Sequence, residues 1–578
     1  MKAKIFKGLK LGGIVLSIFN LMMFFSMRCC WSGISKTLKY EKSESLLILH
    51  LPEILCVIFL LVAATNITLY FVMKKEKNLW TIILNAFNFI FFIALMVIIK
   101  LGALDYMRFV WQEFLTFSIV LLIVLSLLFL IFVYPKTKLK DSKVFKFVLL
   151  GCIVLTSLGY LTSFSINYIT YEPVVYAVND TYQIIFSSST TSLGWVEVNG
   201  VSYYDLNAGS QKSETKVHKI EIPMSKLDAA KSYTIKCQNM IYRGPFGGLK
   251  GRIIDKTYNF RPVDSSDGLN YYALADVHMG LKESAKAAKY MENMEFLVLA
   301  GDIISVVDTY IDANYTNKVA FEITKGEIPV VYARGNHEIK GKYSEELHKY
   351  VGSVNGDFYY NFYFDNVYGM VLDIGEDHDD DYWEYYETAK YDLYRQEQID
   401  YMNNELATEN YKNFDYRMIV SHIPIVYVNS RKNHEYVKTE LTKILNQMDI
   451  DIALSGHQHD LLVFEPYILP ANKKLPYNSS YSSGTFKGYV TDFNFPNFLI
   501  SKRGYTQTDD SDLVKVKSQI GLGVSVDFVN QQEVVIYNNS LLEKVNIVNP
   551  FKANGEENGT EIDYGTEIVI DLITKKFN

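Results

Sequence analysis

The sequence predicts three unlike parts in succession: a multi-pass membrane α-helical segment, a small β-sandwich, and an α/β domain of two packed sheets flanked by helices. Three observations predict this order. Long uninterrupted apolar stretches are confined to residues 1–170. Short aromatic and β-branched runs separated by turn residues fill residues 171–265. Within residues 266–548, five apolar, strand-like runs each end in Asp, Asn or His. Residues 549–578 lose this pattern and gain Asn, Gly and Glu, which predicts a tail or a peripheral hairpin.

Charge divides at the same place. Residues 1–170 hold 18 Lys plus Arg against 7 Asp plus Glu, a net +11, which leaves 39 against 57, a net −18, for residues 171–578. The whole-chain value of −7 therefore averages two environments. An acidic soluble part makes a nucleic-acid polymer a poor partner, because such binding needs phosphate-neutralising Lys and Arg. It leaves phosphate esters open as substrates, since bound metal ions reverse the local charge. Of five cysteines only Cys237 falls in the soluble part, so that part has no internal disulfide and no C-x-x-C metal pattern. Composition is silent on oligomeric state.

The apolar stretches run from Leu11 to Met27, Ile54 to Met73, Leu79 to Ile99, Phe114 to Tyr134 and Phe147 to Ile166. Each approaches or exceeds the roughly 20 residues a helix needs to cross the hydrocarbon core, which predicts five crossings and a lipid bilayer as partner. The first stretch, preceded by Lys2, Lys4, Lys7 and Lys10, could instead be a cleaved signal, but Met27–Arg28–Cys29 offers no small-residue cleavage pattern. With the N-terminus inside, the cytoplasmic loops carry 12 Lys and Arg and the outer loops 6. Five crossings then deliver the soluble part to the outside, as an extracytoplasmic domain of a multi-pass cell-membrane protein. Asp105 and Glu113 sit near helix ends, so no line of buried charge marks an ion pathway, and anchoring is the simplest role for these helices.

In the second part, Tyr182–Ser187, Gly194–Val198, Val217–Ile222 and Ser232–Cys237 read as strands, and Asn199–Gly200 marks a hairpin turn. Its simplest function is a spacer that lifts the following domain off the bilayer.

The chemistry lies in the five strand-end pieces. They are Tyr271–Ala275 followed by Asp276 and His278; Phe296–Ala300 followed by Gly301 and Asp302; Pro329–Ala333 followed by Arg334, Gly335, Asn336, His337 and Glu338; Met418–Ser421 followed by His422; and Ile452–Ser455 followed by Gly456, His457 and His459. Sites in layered α/β folds gather beyond the carboxyl ends of strands. Carboxylate, carboxamide and imidazole donors suit Zn, Mn or Fe, and the pieces lack the thiolates of a structural zinc site. A single D-x-H or H-x-H is commonplace, but all five in order, holding five of the chain's ten His, are not.

Together these motifs, D-x-H, G-D, G-N-H-E, a lone His after a strand and G-H-x-H, resemble the calcineurin-like metallophosphoesterase superfamily over about Asn270 to Val535. The preceding β domain resembles the arrangement in the purple acid phosphatase branch. The resemblance implies a hydrolase that cleaves phosphate esters with hydroxide activated by two divalent transition-metal ions, with mono- and diesterase both open. It implies that Asp276, His278 and His459 hold one metal and Asn336, His422 and His457 the other, with Asp302 bridging them. It also implies that His337 faces the substrate, while Glu338 orients His337 or its loop. Two positions depart from the purple branch: Asp276-Val277-His278 stands in place of D-x-G, and Ser305 stands where that branch has a tyrosine ligand. No tyrosinate is expected, which leaves Mn, Zn and Fe(II) open.

The run Glu376-Asp377-His378-Asp379-Asp380-Asp381 reads as a solvated acidic loop, with an accessory cation site or a substrate-selecting lid as sharper alternatives. Tyr382, Trp383, Tyr385 and Tyr386 make it aromatic enough to stack on an organic leaving group. The competing function is a non-catalytic or sensory surface protein that binds a phosphorylated or envelope ligand through the same fold.

Overall fold

Each of the five apolar runs that end in Asp, Asn or His is a β-strand in the computed structural model. The structure describes residues 167–577 apart from 244–247, 430–433, 460, 467–474, 479–484, 501–502, 509–513, 541–544, 549–558 and 563–565. The five crossings predicted between Leu11 and Ile166 lie outside the described residues. Among the described residues, no helix is long and apolar enough to cross a membrane.

The strands in chain order begin with β1 (Ile169–Val178), β2 (Thr181–Val198), β3 (Val201–Tyr204), a small ribbon of β4 (Leu206–Asn207) and β5 (Gln211–Lys212), then β6 (Glu214–Pro223), β7 (Ser232–Arg243) and β8 (Gly248–Asn259). The motif-bearing β9 (Leu269–Leu274), β10 (Phe296–Ala300) and β11 (Pro329–Ala333) follow, then β12 (Tyr360–Phe364), β13 (Val367–Leu372), β14 (Tyr416–Ser421), β15 (Tyr427–Asn429) and β16 (Ile452–Ser455). The rest are β17 (Val463–Phe464), β18 (Leu475–Asn478), β19 (Thr485–Val490), β20 (Asn497–Leu499), β21 (Arg503–Thr508), β22 (Val514–Asp527), β23 (Gln532–Asn539), β24 (Val545–Val548), β25 (Gly559–Ile562) and β26 (Glu567–Asp571). Helices are α1 (Met224–Ala230), α2 (Leu281–Ala288), α3 (Tyr310–Ala313), α4 (Tyr315–Thr324), α5 (Tyr391–Thr408) and α6 (Glu435–Leu445).

Two mixed sheets carry the site. The first runs β26-β23-β22-β9-β10-β11-β1-β2-β7-β8, and the second runs β12-β13-β14-β16-β20-β17. Strands β9, β10 and β11 are mutually parallel, as are β13, β14, β16 and β20, so the carboxyl ends of the ligand-bearing strands share a direction within each sheet. The sheets meet face to face through apolar side chains and polar links that include Tyr271 to Tyr416, whose hydroxyls are 2.9 Å apart, and the Tyr360 hydroxyl, which donates to the Tyr332 carbonyl at 2.6 Å. Period-two alternation divides β14 between two cores: Tyr416, Met418 and Val420 face the first sheet, while Ile419 joins Ile399 and Met402 of α5 and Leu441 and Leu445 of α6. Helices α2 and α4 pack against the first sheet through Ala287, Ala288, Val319 and Ala320. Two packed sheets flanked by helices are thus observed.

The β-sandwich expected over residues 171–265 does not stand as a separate pair of sheets. Its strands β2, β3, β6, β7 and β8 pair with one another and extend the first sheet, because β1 pairs antiparallel with β2 on one edge and parallel with β11 on the other, Val175 opposite Pro329 and Tyr176 opposite Val330. Local alternation reports which face of a strand is buried; it does not report which strand sits beside it. The Asn199–Gly200 hairpin is observed, with Val198 opposite Val201 and both turn residues at positive φ, 48° and 78°. Residues 549–578, expected as a tail or a peripheral hairpin, do more than either. Although β24 and β25 form a two-stranded ribbon, β26 adds to the edge of the first sheet beside β23. Lys575 then pairs with buried Asp451, and Phe577 stacks on Phe498 at 5.7 Å between ring centroids.

Candidate metal centre

Every Asp and His assigned to a metal from the motifs converges on one place. Asp276, His278, Asp302 and His459 each offer a ligand atom within 4.8 Å of the others, and so do Asp302, His422 and His457. Asp302 belongs to both groups. The two His of the D-x-H and G-H-x-H motifs approach through Nε2 atoms 3.2 Å apart, and His459 Nε2 lies 3.4 Å from Asp276 Oδ1. In the second group His422 Nε2 is 3.2 Å from Asp302 Oδ2, and His457 Nδ1 is 3.2 Å from Asn336 Oδ1, which places Asn336 there as the motifs implied.

The loops achieve this convergence through backbone conformations that side-chain-bearing residues seldom adopt. Asp276, His278, Asp302, His457 and His459 all have positive φ, between 42° and 74°. Each such residue costs about 1–3 kcal/mol and persists only where its surroundings hold it. Hydrogen bonds between loops do so: Asp276 N–H donates to Gly301 O at 3.0 Å, His278 N–H to Asp302 O at 2.9 Å, Gly456 N–H to His422 O at 2.9 Å, and His457 N–H to Asp276 Oδ2 at 2.9 Å. Gly301, at φ 81°, allows close approach as well, since a Cβ there would stand 2.6 Å from the His422 ring.

Glu338 organises this backbone. Its Oε2 accepts the N–H groups of Asp302 at 2.8 Å and Gly335 at 3.0 Å, and its Oε1 those of Ile303 at 2.7 Å and Ile304 at 3.3 Å. Four donors hold it as a carboxylate, although burial and then the Asp302 charge raise its pKa. Of the two roles open to Glu338, it therefore fills the loop role. The His337 ring is oriented instead by Ser305, whose carbonyl accepts from Nδ1–H at 2.7 Å. That bond leaves Nε2 turned toward the site, 3.9 Å from Asp302 Oδ2. Behind the same loop, Arg334 pairs with Asp373 at 2.6 Å and lies 4.2 Å over the Phe358 ring.

The donor set fits cations. Burial pushes the His278 imidazole down to about 3, so it is neutral and offers a lone pair. His422 donates from Nδ1–H to the Ala300 carbonyl at 2.8 Å, which turns Nε2 toward Asp302. That Nε2 is buried and makes no hydrogen bond, with the Asp302 carboxylate 3.2 Å away. A cation held between nitrogen and carboxylate satisfies both.

The acidic run is not merely solvated. Glu376 is 2% exposed: its Oε1 pairs with Lys340 at 3.0 Å, and its Oε2 accepts from the Tyr385 hydroxyl at 3.0 Å. Asp380 accepts the N–H of Tyr391 at 2.8 Å, at the start of α5. Asp377 Oδ2 lies 2.5 Å from His457 Nε2 and is a site residue that the motif reading missed. A signal was present, because Asp377 follows β13 as the candidate ligands follow their strands. Within an unbroken run of acids, however, no spacing singled it out.

Parallel strand ends converge on buried carboxylates and imidazoles that could hold metal ions, on a mixed α/β framework. Residues 269–461 match the family model described as "Calcineurin-like phosphoesterase", and this segment is a calcineurin-like phosphoesterase domain. No curated protein sequence matches the chain. Solved structures similar to it include a purple acid phosphatase, PPD1, from yellow lupin (Lupinus luteus) seeds, at 12% identity and TM-score 0.42 over 70% of this chain and 75% of that one. PhoD is similar at 10% identity and TM-score 0.39, over 70% and 91% of the respective chains. GAP50, described as the anchor in the inner membrane complex of Plasmodium, is similar at 15% identity and TM-score 0.28, over 52% and 90%.

Proposed function

We propose that the chain hydrolyses phosphate esters with two divalent transition-metal ions, Mn, Zn or Fe(II), at the outer face of a cell membrane. The observation that carries the reading is the shared carboxylate: Asp302, 1% exposed, belongs to both donor groups. Asp276, His278 and His459 would hold one ion, Asn336, His422 and His457 the other, and Asp302 would bridge them. When bound, the ions supply Lewis acidity toward phosphoryl oxygens and lower the pKa of water. The chain's own residues position and protonate: His337, fixed through Nδ1, presents Nε2 to a phosphoryl or leaving oxygen, and Glu338 keeps the Asp302 and Gly335 turns in register. The exposed Trp383 and Tyr386 on the neighbouring loop offer an apolar surface to an organic leaving group.

Hydrolysis of a panel of phosphomonoesters and phosphodiesters by the purified full-length chain tests the activity. It is expected to vanish on chelation and to return with Mn, Zn or Fe(II); hydrolysis indifferent to chelation contradicts the reading.

The placement outside the cytoplasm rests on an odd number of apolar stretches and on the 12-to-6 distribution of Lys and Arg in their loops. It favours phosphorylated metabolites, nucleotides or envelope polymers as substrates. A single cysteine at Val529, 88% exposed, in a chain whose native cysteines are replaced, is expected to react with an impermeant maleimide on intact cells. Reaction only after lysis places the domain inside.

A further inference from the structure

His457 stands between two acceptors. Its Nδ1 is 3.2 Å from Asn336 Oδ1, among the donors assigned to the second ion, and its Nε2 is 2.5 Å from Asp377 Oδ2. A neutral imidazole carries one N–H. With that hydrogen on Nδ1, the Nε2 lone pair would face the carboxylate lone pairs at close range. With it on Nε2, the ring donates to Asp377 and turns the Nδ1 lone pair toward Asn336. Only the second tautomer makes Nδ1 a metal ligand.

We propose that Asp377 is a positioning residue that fixes His457 as an Nδ1 ligand and thereby sets the affinity of the second metal ion, an inference that rests on the binuclear reading above. Asp377 is itself held in place. The preceding carbonyl, that of Glu376, accepts from Arg395 Nη2 at 2.9 Å and His434 Nε2 at 2.8 Å, and Arg395 is fully buried on α5. The Asp377 N–H donates to Glu376 Oε2 at 3.1 Å, the oxygen that also accepts from Tyr385. The carboxylate on His457 is therefore the point at which the aromatic loop, with Trp383 69% and Tyr386 80% exposed, is joined to the metal centre. By linkage, an ion that binds more tightly with Asp377 in place also stabilises the loop in that position.

The test counts bound Mn(II) per full-length chain by equilibrium dialysis over a range of free metal, for the wild type, Asp377→Ala and Asp377→Asn. The wild type is expected to bind two ions. Asp377→Ala is expected to keep the first at wild-type affinity and to bind the second roughly 10- to 100-fold more weakly, the range for losing a carboxylate behind a ligating His. Asp377→Asn is expected to fall between them, because its carboxamide oxygen still accepts Nε2–H without the charge. If Asp377→Ala lacks a cooperative thermal transition, Asp377→Asn decides by the same criterion. Two ions at wild-type affinity in the variants overturn the inference alone, and so does equal weakening of both ions. A wild type that binds fewer than two ions overturns the binuclear reading and this inference with it.

Discussion

An Asp302→Asn chain is expected to lose more than half of its bound metal and to hydrolyse phosphate esters roughly 10³-fold more slowly or worse, since removing even several kcal/mol of metal-derived stabilisation has that consequence. The size of the effect follows from position. Asp302 Oδ2 lies 3.2 Å from His422 Nε2 and 3.8 Å from His278 Nε2, so one oxygen serves donors on both sides of the site. Asp302 is 1% exposed, and its carboxylate lies among the imidazoles of both donor groups, where it supplies the negative charge that both ions would share. A carboxamide removes that charge and presents N–H donors where cations are to be bound. The fold should persist, since Glu338 still accepts the backbone N–H at position 302. Elemental analysis and circular dichroism of wild type and variant check the expectation; full two-metal occupancy in the variant would refute the bridging role.

His337→Ala is expected to behave differently: both ions stay and turnover falls by roughly 10²–10⁴-fold, the range for a proton-transfer group. His337 is absent from both donor groups, its Nδ1–H is committed to the Ser305 carbonyl, and its ring is partly open to solvent. Truncation removes an Nε2 facing the site while leaving the Glu338 backbone contacts intact. If proton donation is the main role, an ester with a low-pKa leaving group recovers part of the loss, because it departs without a proton. Equal losses for good and poor leaving groups would favour a binding or electrostatic role, and loss of a metal would overturn the assignment.

The convergence of the candidate donors is largely legible in the sequence because each of them advertises itself locally. An apolar run of strand length comes first, followed by Asp, Asn or His, in three cases with a glycine close before the donor. The local signal suffices when a strand end is the functional element. Where the determining contact is non-local, the pattern was silent. Nothing in the alternation of Ile169–Val178 announces a parallel neighbour at Pro329–Ala333, so the first β strands read as a domain apart when they extend the first sheet. The strand Glu567–Asp571 was obscured by the Asn, Gly and Glu around it, and only its pairing with Gln532–Asn539 gives it a place. Asp377 was hidden by abundance, one acid among several, and was identified by its distance to His457. The Glu338 role needed the backbone: four N–H groups on one carboxylate are invisible until the turns at Asp302 and Gly335 are folded.

The central claim is that one buried carboxylate joins two metal ions into a phosphoesterase centre, and the most direct measurement is the metal content of active wild-type protein. After exhaustive dialysis, elemental analysis of the full-length chain is expected to find two transition-metal ions per polypeptide, and stepwise chelation should remove activity as they leave. One ion per chain at full activity, or none, would contradict the account.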